Sequence, residues 1–528
     1  MARWIHMAAA AGAAFLAGCG GGDAVMTLAG QQQQSALVAA APVSNAAAVR
    51  FLEQATFGPT PGEVAHVQSV GFDAWLNEQF AMKPTQFPNA SDRTSLEAVQ
   101  ASFFNIAVNA PDQLRQRVAF ALGQVMVVSD QKLDNRAAIA SYQRVLVTGA
   151  FGNYRQLLKD VTLSPAMGTY LDMANNVKED PEAGTAPNEN YAREVLQLFS
   201  VGLVKLNSDG TPVLDTGGKP IATYSQETVE GFAHVFTGWT YPSKRRSKFP
   251  TLNGPLYTGP LQLVESYHQG GTKQLLDGAT VSQGAAAEME VALDNIAGHP
   301  NVGPFIGTRL IQALVKSNPS PAYVQRVAAA FANNGSGQRG DMKAVIRAVL
   351  LDAEARAGDT QAAAASDGKL REPVLYMTRL MRAFATRTSG VGLPYYAQSM
   401  RQDVFDAPSV FNFYPPSYKP QGYTLYGPEF KLLNSPSVAS RLNFAWDFAN
   451  GGLPNKTLPN FTPLVAAATA GDAALVAQLD ATLMHGTMPD GMKSTLATAL
   501  VSSGAAPRER AMLALYLVAA SPAFNIQR

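Results

Sequence analysis

The sequence predicts a mostly α-helical protein, a large multi-helix globular bundle with long irregular loops and, in one interpretation, a small hairpin. Three observations support this fold class. Apolar residues recur at spacings of three and four along most of the chain after residue 46, as amphipathic helices require. Strict alternation of apolar and polar residues, typical of half-buried strands, is scarce. Apolar residues make up 47% of the 528 positions and charged residues 15%, which supplies a large core.

The clearest helix start lies at residues 60–63. Thr60 stands at the N-cap, Pro61 at the first helical position and Glu63 where it completes a capping box. Periodicity of three and four also predicts helices around residues 114–126, 191–199 and 229–236. The same pattern predicts further helices at about 137–149, 285–298, 302–316, 322–334, 341–352, 370–386, 436–449 and 507–520.

Three segments interrupt the helical pattern. Residues 205–223 are rich in turn formers and indicate an irregular excursion or a small hairpin. Residues 240–284 indicate a long irregular loop, which in compact proteins is commonly functional or disordered. Residues 404–434 are rich in proline and aromatic residues, so we expect them to lie across the helices. They form either a packed connection or an aromatic wall of a ligand site. The 240–284 loop also carries a basic cluster, Lys244, Arg245, Arg246 and Lys248.

Charge and cysteine content exclude several classes of protein. Lys and Arg number 41 and Asp and Glu number 40, a net charge of +1. A chain with so small a net charge lacks the excess of basic residues typical of a nucleic-acid-binding protein, and we expect no nucleic-acid partner. Cys19 is the only cysteine, which excludes a disulfide within the chain and a cysteine-based zinc site.

The first residues carry an export signal. Arg3 precedes a short alanine-rich apolar stretch that ends in Leu16-Ala17-Gly18-Cys19. The stretch is too short to span a membrane, and the pattern resembles a bacterial lipoprotein signal. The resemblance implies cleavage before Cys19 and anchoring to the membrane through acyl chains on that residue. No Asp directly follows Cys19, so the expected location is the outer membrane of the cell envelope.

The sequence predicts four regions. Residues 1–18 form the signal peptide, and the low-complexity residues 19–48 form a lipidated flexible tether. Residues 49–434 form the main helical domain. Residues 435–528 form a C-terminal helical part packed on it.

The sequences of several segments resemble those of a bacterial exported family catalogued as domain of unknown function 1800. The segments occur in the family's order and cover nearly everything after the tether. The resemblance implies an exported protein, often encoded beside a second exported family that looks like a sulfatase or alkaline phosphatase relative, so a sulfatase-like protein is an expected partner. Gln269 stands where the family often has Asp, which argues against a metal-ligand role there. The matching segments are Phe51–Thr60, Asn188–Glu194 with Leu198-Phe199, Phe236–Trp239, His268 with Lys273, His299–Val302 and Pro408–Asn412.

Residues 188–194 are the first candidate for chemistry. Asn188 is the expected N-cap of a helix on which Asn190 and Glu194, four residues apart, share a face. Such a helix could present Glu194 as a general acid or base, with Asn190 and Arg193 binding a ligand. In the alternative, Arg193 and Glu194 form ion pairs that hold the helix to its neighbours.

The loop 267–273 is the second candidate. Its two glycines could turn backbone N–H groups toward an anion, with Lys273 supplying charge. His268 could act as an acid or base or, with Asp172 and Glu194 from other segments, as a metal ligand. In the alternative, the loop is a tight turn held by hydrogen bonds of His268 and Lys273.

Trp239 is the third candidate. Gly238 suits the left-handed conformation at a helix end, which directs Trp239 either into the core or onto a ligand such as a sugar ring. On the preceding helix Glu227, Glu230 and His234 could share a face and bind a metal, a spacing that also arises by chance on solvated helices.

These observations favour a cell-envelope lipoprotein that binds, or does accessory work on, an envelope polymer or an exported partner. The alternative is an extracytoplasmic enzyme, a hydrolase or lyase for an anionic or carbohydrate substrate. It would use Glu194, His268 and Lys273 as catalytic residues, with Asp172, Asn190, Arg193 and Trp239 binding the ligand. No nucleophile elbow, zinc helix or dinucleotide fingerprint is present, and the sequence leaves the cofactor and the metal open.

Overall fold

Helices dominate the structure, a computed structural model, and the predicted mostly α fold class is confirmed. Twenty-four α-helices lie in the part of the chain that is described. Cys19, the predicted signal peptide and the basic cluster 244–248 fall outside that part. The described residues are 43–91, 93–182, 184–243, 252–360, 364, 367–455 and 457–528.

Eleven helices precede the first strand. They are α1 Asn45–Ala55, α2 Pro61–Val70, α3 Phe72–Ala81, α4 Leu96–Asn109, α5 Gln113–Val125, α6 Asp130–Leu133, α7 Arg136–Gly149, α8 Tyr154–Thr162, α9 Pro165–Tyr170, α10 Asn190–Gln197 and α11 Gln226–Val235.

The remaining helices follow the irregular 240–284 region. They are α12 Ala285–Gly298, α13 Val302–Leu314, α14 Pro321–Ala332, α15 Met342–Leu351, α16 Ala353–Arg356, α17 Pro373–Ala383, α18 Leu393–Ser399, α19 Ser435–Asn450, α20 Thr462–Ala470, α21 Asp472–Leu483, α22 Asp490–Ser503, α23 Pro507–Ala520 and α24 Pro522–Asn525. Short 3₁₀ helices occupy Glu265–Tyr267, Leu276–Gly278, Ala357–Asp359 and Pro428–Leu432.

In the described part of the chain the strands are short and form three antiparallel pairs. Residues 203–223 add isolated antiparallel bridges, such as Val204 with Ala222, and so fold as an excursion between α10 and α11. The pairs are β1 Trp239–Thr240 with β2 Gln262–Leu263, β3 Lys273–Gln274 with β4 Thr280–Val281, and β5 Lys369–Leu370 with β6 Ile526–Gln527.

Local capping sets several helix starts. The predicted capping box of α2 is confirmed, because Glu63 N donates to Thr60 Oγ1 at 3.2 Å and Thr60 N donates to Glu63 Oε2 at 2.9 Å. The start of α10 differs from the prediction, since its N-cap is Glu189. Asn188 lies one residue earlier, and its Oδ1 accepts from Asn190 N at 2.8 Å, so its side chain still satisfies the first helical N–H.

Two clusters of buried apolar side chains form the core. The first joins α1–α3 and α5 to α7–α15. The second joins α4, α17 and α18 to α19–α23, so it takes Phe104 and Tyr376 from before residue 434 and Phe444 from after it. Phe405 packs against both clusters, which places the start of the proline-rich 404–434 segment at their junction.

A buried ion-pair hub connects the two clusters. Glu53 Oε2, on α1, lies 2.7 Å from Arg371 Nη2 and 2.8 Å from His485 Nε2. The Glu53 carboxylate also contacts Arg379 of α17. Burial opposes ionisation of Glu53, but the charges of Arg371, His485 and Arg379 outweigh it and hold its pKa well below the ordinary value. The hub therefore fixes α1 against α17 and the end of α21.

None of the helices described is long and apolar enough to cross a membrane.

Candidate functional site

His268 and Lys273 converge on a residue that sequence reasoning missed, Glu288 of α12. Glu288 Oε2 lies 2.9 Å from His268 Nε2, and Lys273 Nζ donates to Glu288 Oε1 at 2.8 Å. Thr237 Oγ1 lies 3.2 Å from His268 Nδ1, and Gln283 N donates to Glu288 Oε1 at 2.8 Å. The side chains of the three central residues are 4%, 1% and 0% exposed. Lys273 thus neutralises a buried carboxylate, an arrangement that favours a tight structural turn over an open anion cradle.

Glu194 lies on α10 and has no hydrogen bond or ion pair to His268 or Lys273 among the described residues. Its Oε2 atom is buried and has no hydrogen-bond partner there. Burial raises the pKa of Glu194, and the charge of Arg193 opposes this only in part. Burial, with a further contribution from Glu194, also raises the pKa of Tyr170 to about 12. Glu194 is therefore a half-buried carboxyl group apart from the other two predicted catalytic residues.

Three of the four predicted ligand-binding residues already have polar partners near the surface. Asn190 Nδ2 donates to Asp172 Oδ2 at 3.0 Å. Lys132 Nζ also contacts Asp172, at 2.7 Å and 2.8 Å from its two oxygens. Arg193 pairs with Glu189, the N-cap of its own helix, at 2.7 Å. The Asn190–Asp172 hydrogen bond therefore connects α10 to the segment that follows α9.

Trp239 fills the core. It is 8% exposed, and its strand partner is Leu263 of β2. Gly238 adopts the expected left-handed conformation with φ of 83°, and a Cβ at that position would lie 3.1 Å from His268 N. The close approach of these two backbones explains the glycine.

No group of three or more His, Cys, Asp or Glu side chains is placed to hold a metal ion in the described ranges. The side chains of Glu227, Glu230 and His234 therefore do not form a set of metal ligands. Burial and the charge of Lys273 lower the pKa of His234, while nearby carboxylates oppose the shift.

A cavity of about 490 Å³ lies within the roughly 300–1,000 Å³ range usual for small-molecule sites. Its walls come from α5, α13, the excursion after α10 and the 404–434 segment. At Gly202, with φ of 73°, a Cβ would lie 2.9 Å from the ring of Phe305, so glycine lets the excursion close onto this wall. The aromatic and proline residues that line it are Phe305, Phe411, Tyr414, Pro415, Pro416, Tyr426 and Pro428.

Two residues that line the cavity carry buried polar atoms without a partner. Glu429 is 3% exposed, and Lys369 Nζ lies 2.9 Å from its Oε1, but its Oε2 has no hydrogen-bond partner among the residues described. Asn412 is 7% exposed and its Nδ2 likewise has no partner. Burial raises the pKa of Glu429 although Lys369 opposes the shift. Glu429 and Asn412 thus each keep one polar atom that the described part of the fold leaves without a hydrogen bond.

Arg309 supplies a cation to the same cavity. Its Nη1 donates to Gln312 Oε1 at 3.0 Å, and its guanidinium carbon lies 5.0 Å from the centroid of the Phe305 ring. Burial lowers the pKa of Arg309 to about 10, with Tyr426 opposing the shift. The guanidinium stays charged near neutral pH and lies over the Phe305 ring of the cavity wall.

A layer of buried polar groups supports the cavity from below. Glu372 Oε2 accepts from Gln124 Nε2 and from Tyr414 OH, each at 2.8 Å, while Glu372 Oε1 has no partner among the residues described. Arg117 is fully buried, and only its Nη2 is satisfied, by Ala313 O at 2.6 Å. Burial lowers the pKa of Arg117, and the charges of Glu372 and nearby groups oppose this. These groups fix Gln124 and Tyr414 in the cavity wall.

Sequence reasoning anticipated the aromatic wall as one interpretation of residues 404–434, but it missed the charged floor. Arg117 directly precedes the apolar residues 118–122 of α5, and Glu372 directly precedes Pro373 at the start of α17. A charge at the edge of an apolar helical stretch is a signal for a buried polar site, since charged groups are seldom fully buried without partners.

Comparison with known proteins now identifies the family. Residues 50–526 match the family described as Protein of unknown function (DUF1800). The chain belongs to the DUF1800 family. The match covers the cavity, the buried Glu288 cluster and the Glu53 hub. No curated protein and no solved structure gives a significant match.

Proposed function

We propose that this DUF1800 protein is a cell-envelope lipoprotein that binds a carbohydrate segment of an envelope polymer in the 490 Å³ cavity. The observation that carries the proposal is the combination of an aromatic wall with buried, unpartnered polar atoms on Glu429 and Asn412. Anchoring by acyl chains on Cys19 is part of the proposal. A sulfatase-like exported partner stays a prediction.

The two kinds of cavity surface suit a sugar ring. A pyranose has apolar faces of C–H groups and a rim of hydroxyl groups. The faces can pack on the rigid rings of Phe411, Tyr414 and Tyr426. Once side-chain rotation brings the two shielded atoms to the cavity surface, the hydroxyl groups can donate to Glu429 Oε2 and accept from Asn412 Nδ2. One neutral ligand class thus satisfies both surfaces.

The hydrogen-bonding atoms without partners can contribute to the free energy of ligand binding. A buried polar group without a partner costs about 1–3 kcal/mol. A ligand hydroxyl restores that hydrogen bond only when it is bound, so part of the cost is returned as affinity. The charged residues that line the cavity are Arg309 and Glu429, one of each sign. This balance favours a neutral ligand over an ionic one.

Two exposed aromatic residues at the cavity allow a clean test. Phe411 and Tyr426 are each 41% exposed, so truncating either should leave folding nearly unchanged. We expect calorimetric titration of the purified protein with short neutral oligosaccharides to show binding, and Phe411→Ala and Tyr426→Ala to weaken it about tenfold, or 1.4 kcal/mol.

Tyr395 provides the matched control. It is 69% exposed and does not line the cavity, so Tyr395→Ala should bind like the unaltered protein. Absence of binding to cello-, malto-, xylo- and chito-oligosaccharides alike would overturn the proposal. Equal losses in all three variants would also contradict it.

The lipid anchor is tested separately. Cells fed a labelled fatty acid should incorporate label into the protein, and Cys19→Ser should abolish the labelling. Label retained in the variant would contradict anchoring at this cysteine without affecting the cavity proposal.

A further inference from the structure

We infer that the carbohydrate bound in the cavity carries an N-acetyl group, and that a smaller pocket beside the cavity receives this group. The inference rests on the proposed glycan-binding function and names the sugar class. It is carried by a second concave space whose wall shares Gln124 and Asn412 with the main cavity.

The smaller pocket has the size and surface for a compact substituent. Its volume is about 40 Å³, room for a group of a few heavy atoms. Phe120, Val127 and Ala407 are among the apolar residues that line it. Every residue that lines this pocket is uncharged, which disfavours a carboxylate, phosphate or ammonium substituent.

Asn412 supplies a donor at the boundary between the two spaces. Its Nδ2 is unpartnered and shielded in the free protein, and after a rotation of the side chain it can donate to the carbonyl oxygen of an acetamido group. The residue has φ of 61°, a left-handed conformation that asparagine tolerates better than most residues. The backbone therefore holds this side chain at a position where few other residue types fit.

Gln124 supplies the complementary acceptor. Its Nε2 donates to Glu372 Oε2 at 2.8 Å, which leaves its Oε1 to accept from the amide N–H of the ligand. Asn412 and Gln124 together can satisfy both polar atoms of an acetamido group, and the apolar lining takes its methyl group. A hydroxyl at the same ring position would leave the methyl space unfilled.

Chito- and cello-oligosaccharides of equal length test this directly, because they differ only in the group at C2 of each ring. We expect the chito-oligosaccharide to bind the full-length protein at least about tenfold more tightly, since an apolar methyl contact and an amide hydrogen bond together are worth more than 1.4 kcal/mol.

Two variants test whether the smaller pocket causes the preference for the chito-oligosaccharide. Ala407→Val narrows the smaller pocket, and Asn412→Asp replaces the donor with an acceptor of nearly equal shape. Each should lower the ratio of chito to cello affinity severalfold, with thermal unfolding confirming that the variant is folded.

The outcomes separate the two proposals. Equal affinity for both oligosaccharides would overturn the N-acetyl inference and leave glycan binding standing. Binding of neither would overturn the N-acetyl inference, and failure of malto- and xylo-oligosaccharides to bind as well would overturn glycan binding. A chito preference that both folded variants retain would place the acetamido group elsewhere and contradict the inference. The comparison of chito- and cello-oligosaccharide affinity on the unaltered protein tests the inference even where a variant fails to fold.

Discussion

Tyr414 donates a hydrogen bond of 2.8 Å to Glu372 and so joins the aromatic wall of the cavity to the carboxylate buried beneath it. Burial and the charges of Glu372 and Glu429 raise the pKa of Tyr414 well above its ordinary value. The phenol therefore stays protonated and acts as a donor. Since Glu372 also holds Gln124, the shape of the cavity depends on this buried group.

Removing that hydrogen bond should destabilise the protein. Tyr414→Phe deletes one donor to a buried carboxylate, and a hydrogen bond to a charged group is worth about 1.5–3 kcal/mol. Chemical denaturation should show a loss of this size in the free energy of unfolding. Tyr423→Phe, at a side chain 71% exposed, is the control and should change little. Equal effects of the two changes would argue against the described contact.

The Glu53 hub should dominate acid stability. Glu53→Gln leaves Arg371 and Arg379 without their buried counter-charge and should cost about 3–5 kcal/mol near neutral pH. The folded pKa of Glu53 lies below its ordinary value of 4.5, so its contribution is present above that pH and is lost as the pH falls through the lowered pKa. Denaturation across pH should show the two proteins converging in acid. A pH-independent difference would contradict the hub, and exposed Glu182→Gln is the control.

The ionised Glu194 side chain should lower the stability at neutral pH, whereas ionised Glu53 raises it. The folded pKa of Glu194 is raised above 4.5, so ionising it opposes folding at neutral pH and the opposition disappears below about pH 4.5. Glu194→Gln should therefore raise the melting temperature near neutral pH, with the gain vanishing in acid. A lower melting temperature at neutral pH would indicate that the carboxylate makes a stabilising ion pair.

The Glu288 cluster should prove structural. Lys273→Met leaves Glu288 buried without its ammonium partner, which should cost about 3–5 kcal/mol of stability. Adding Glu288→Leu should recover part of the loss, because a buried pair can be replaced by apolar residues at little cost. Oligosaccharide affinity of the folded double variant should match that of the unaltered protein. Loss of binding without loss of stability would instead support a role for Lys273 in ligand contact.

Much of the helical architecture follows from local sequence. The periodicity over 285–298 and the capping box at Thr60 depend on residues within a few positions of one another, and both features match the structure closely. Helices α20, α21 and α22 were not predicted, since their apolar residues are spread around the helix instead of forming one face.

The candidate site was less accessible from sequence because its parts are distant. His268 and Lys273 indicated an anion cradle by local spacing, but Glu288, fifteen residues after Lys273, decides their environment. In the cavity Gln124, Glu372 and Tyr414 come from three separate segments, and no spacing rule connects them. The proline-rich segment could be recognised by composition, but its polar floor required tertiary structure.

The central claim, that the cavity binds a sugar, is tested most directly by a crystal structure of the protein grown with a chito-oligosaccharide. The prediction is a sugar ring packed on Phe411 and Tyr426, with a hydroxyl group hydrogen-bonded to Glu429 Oε2 and the acetamido group beside Asn412. A sugar bound elsewhere, for example on exposed Trp446 and the half-buried Tyr516 beside it, with the cavity free of ligand would contradict it.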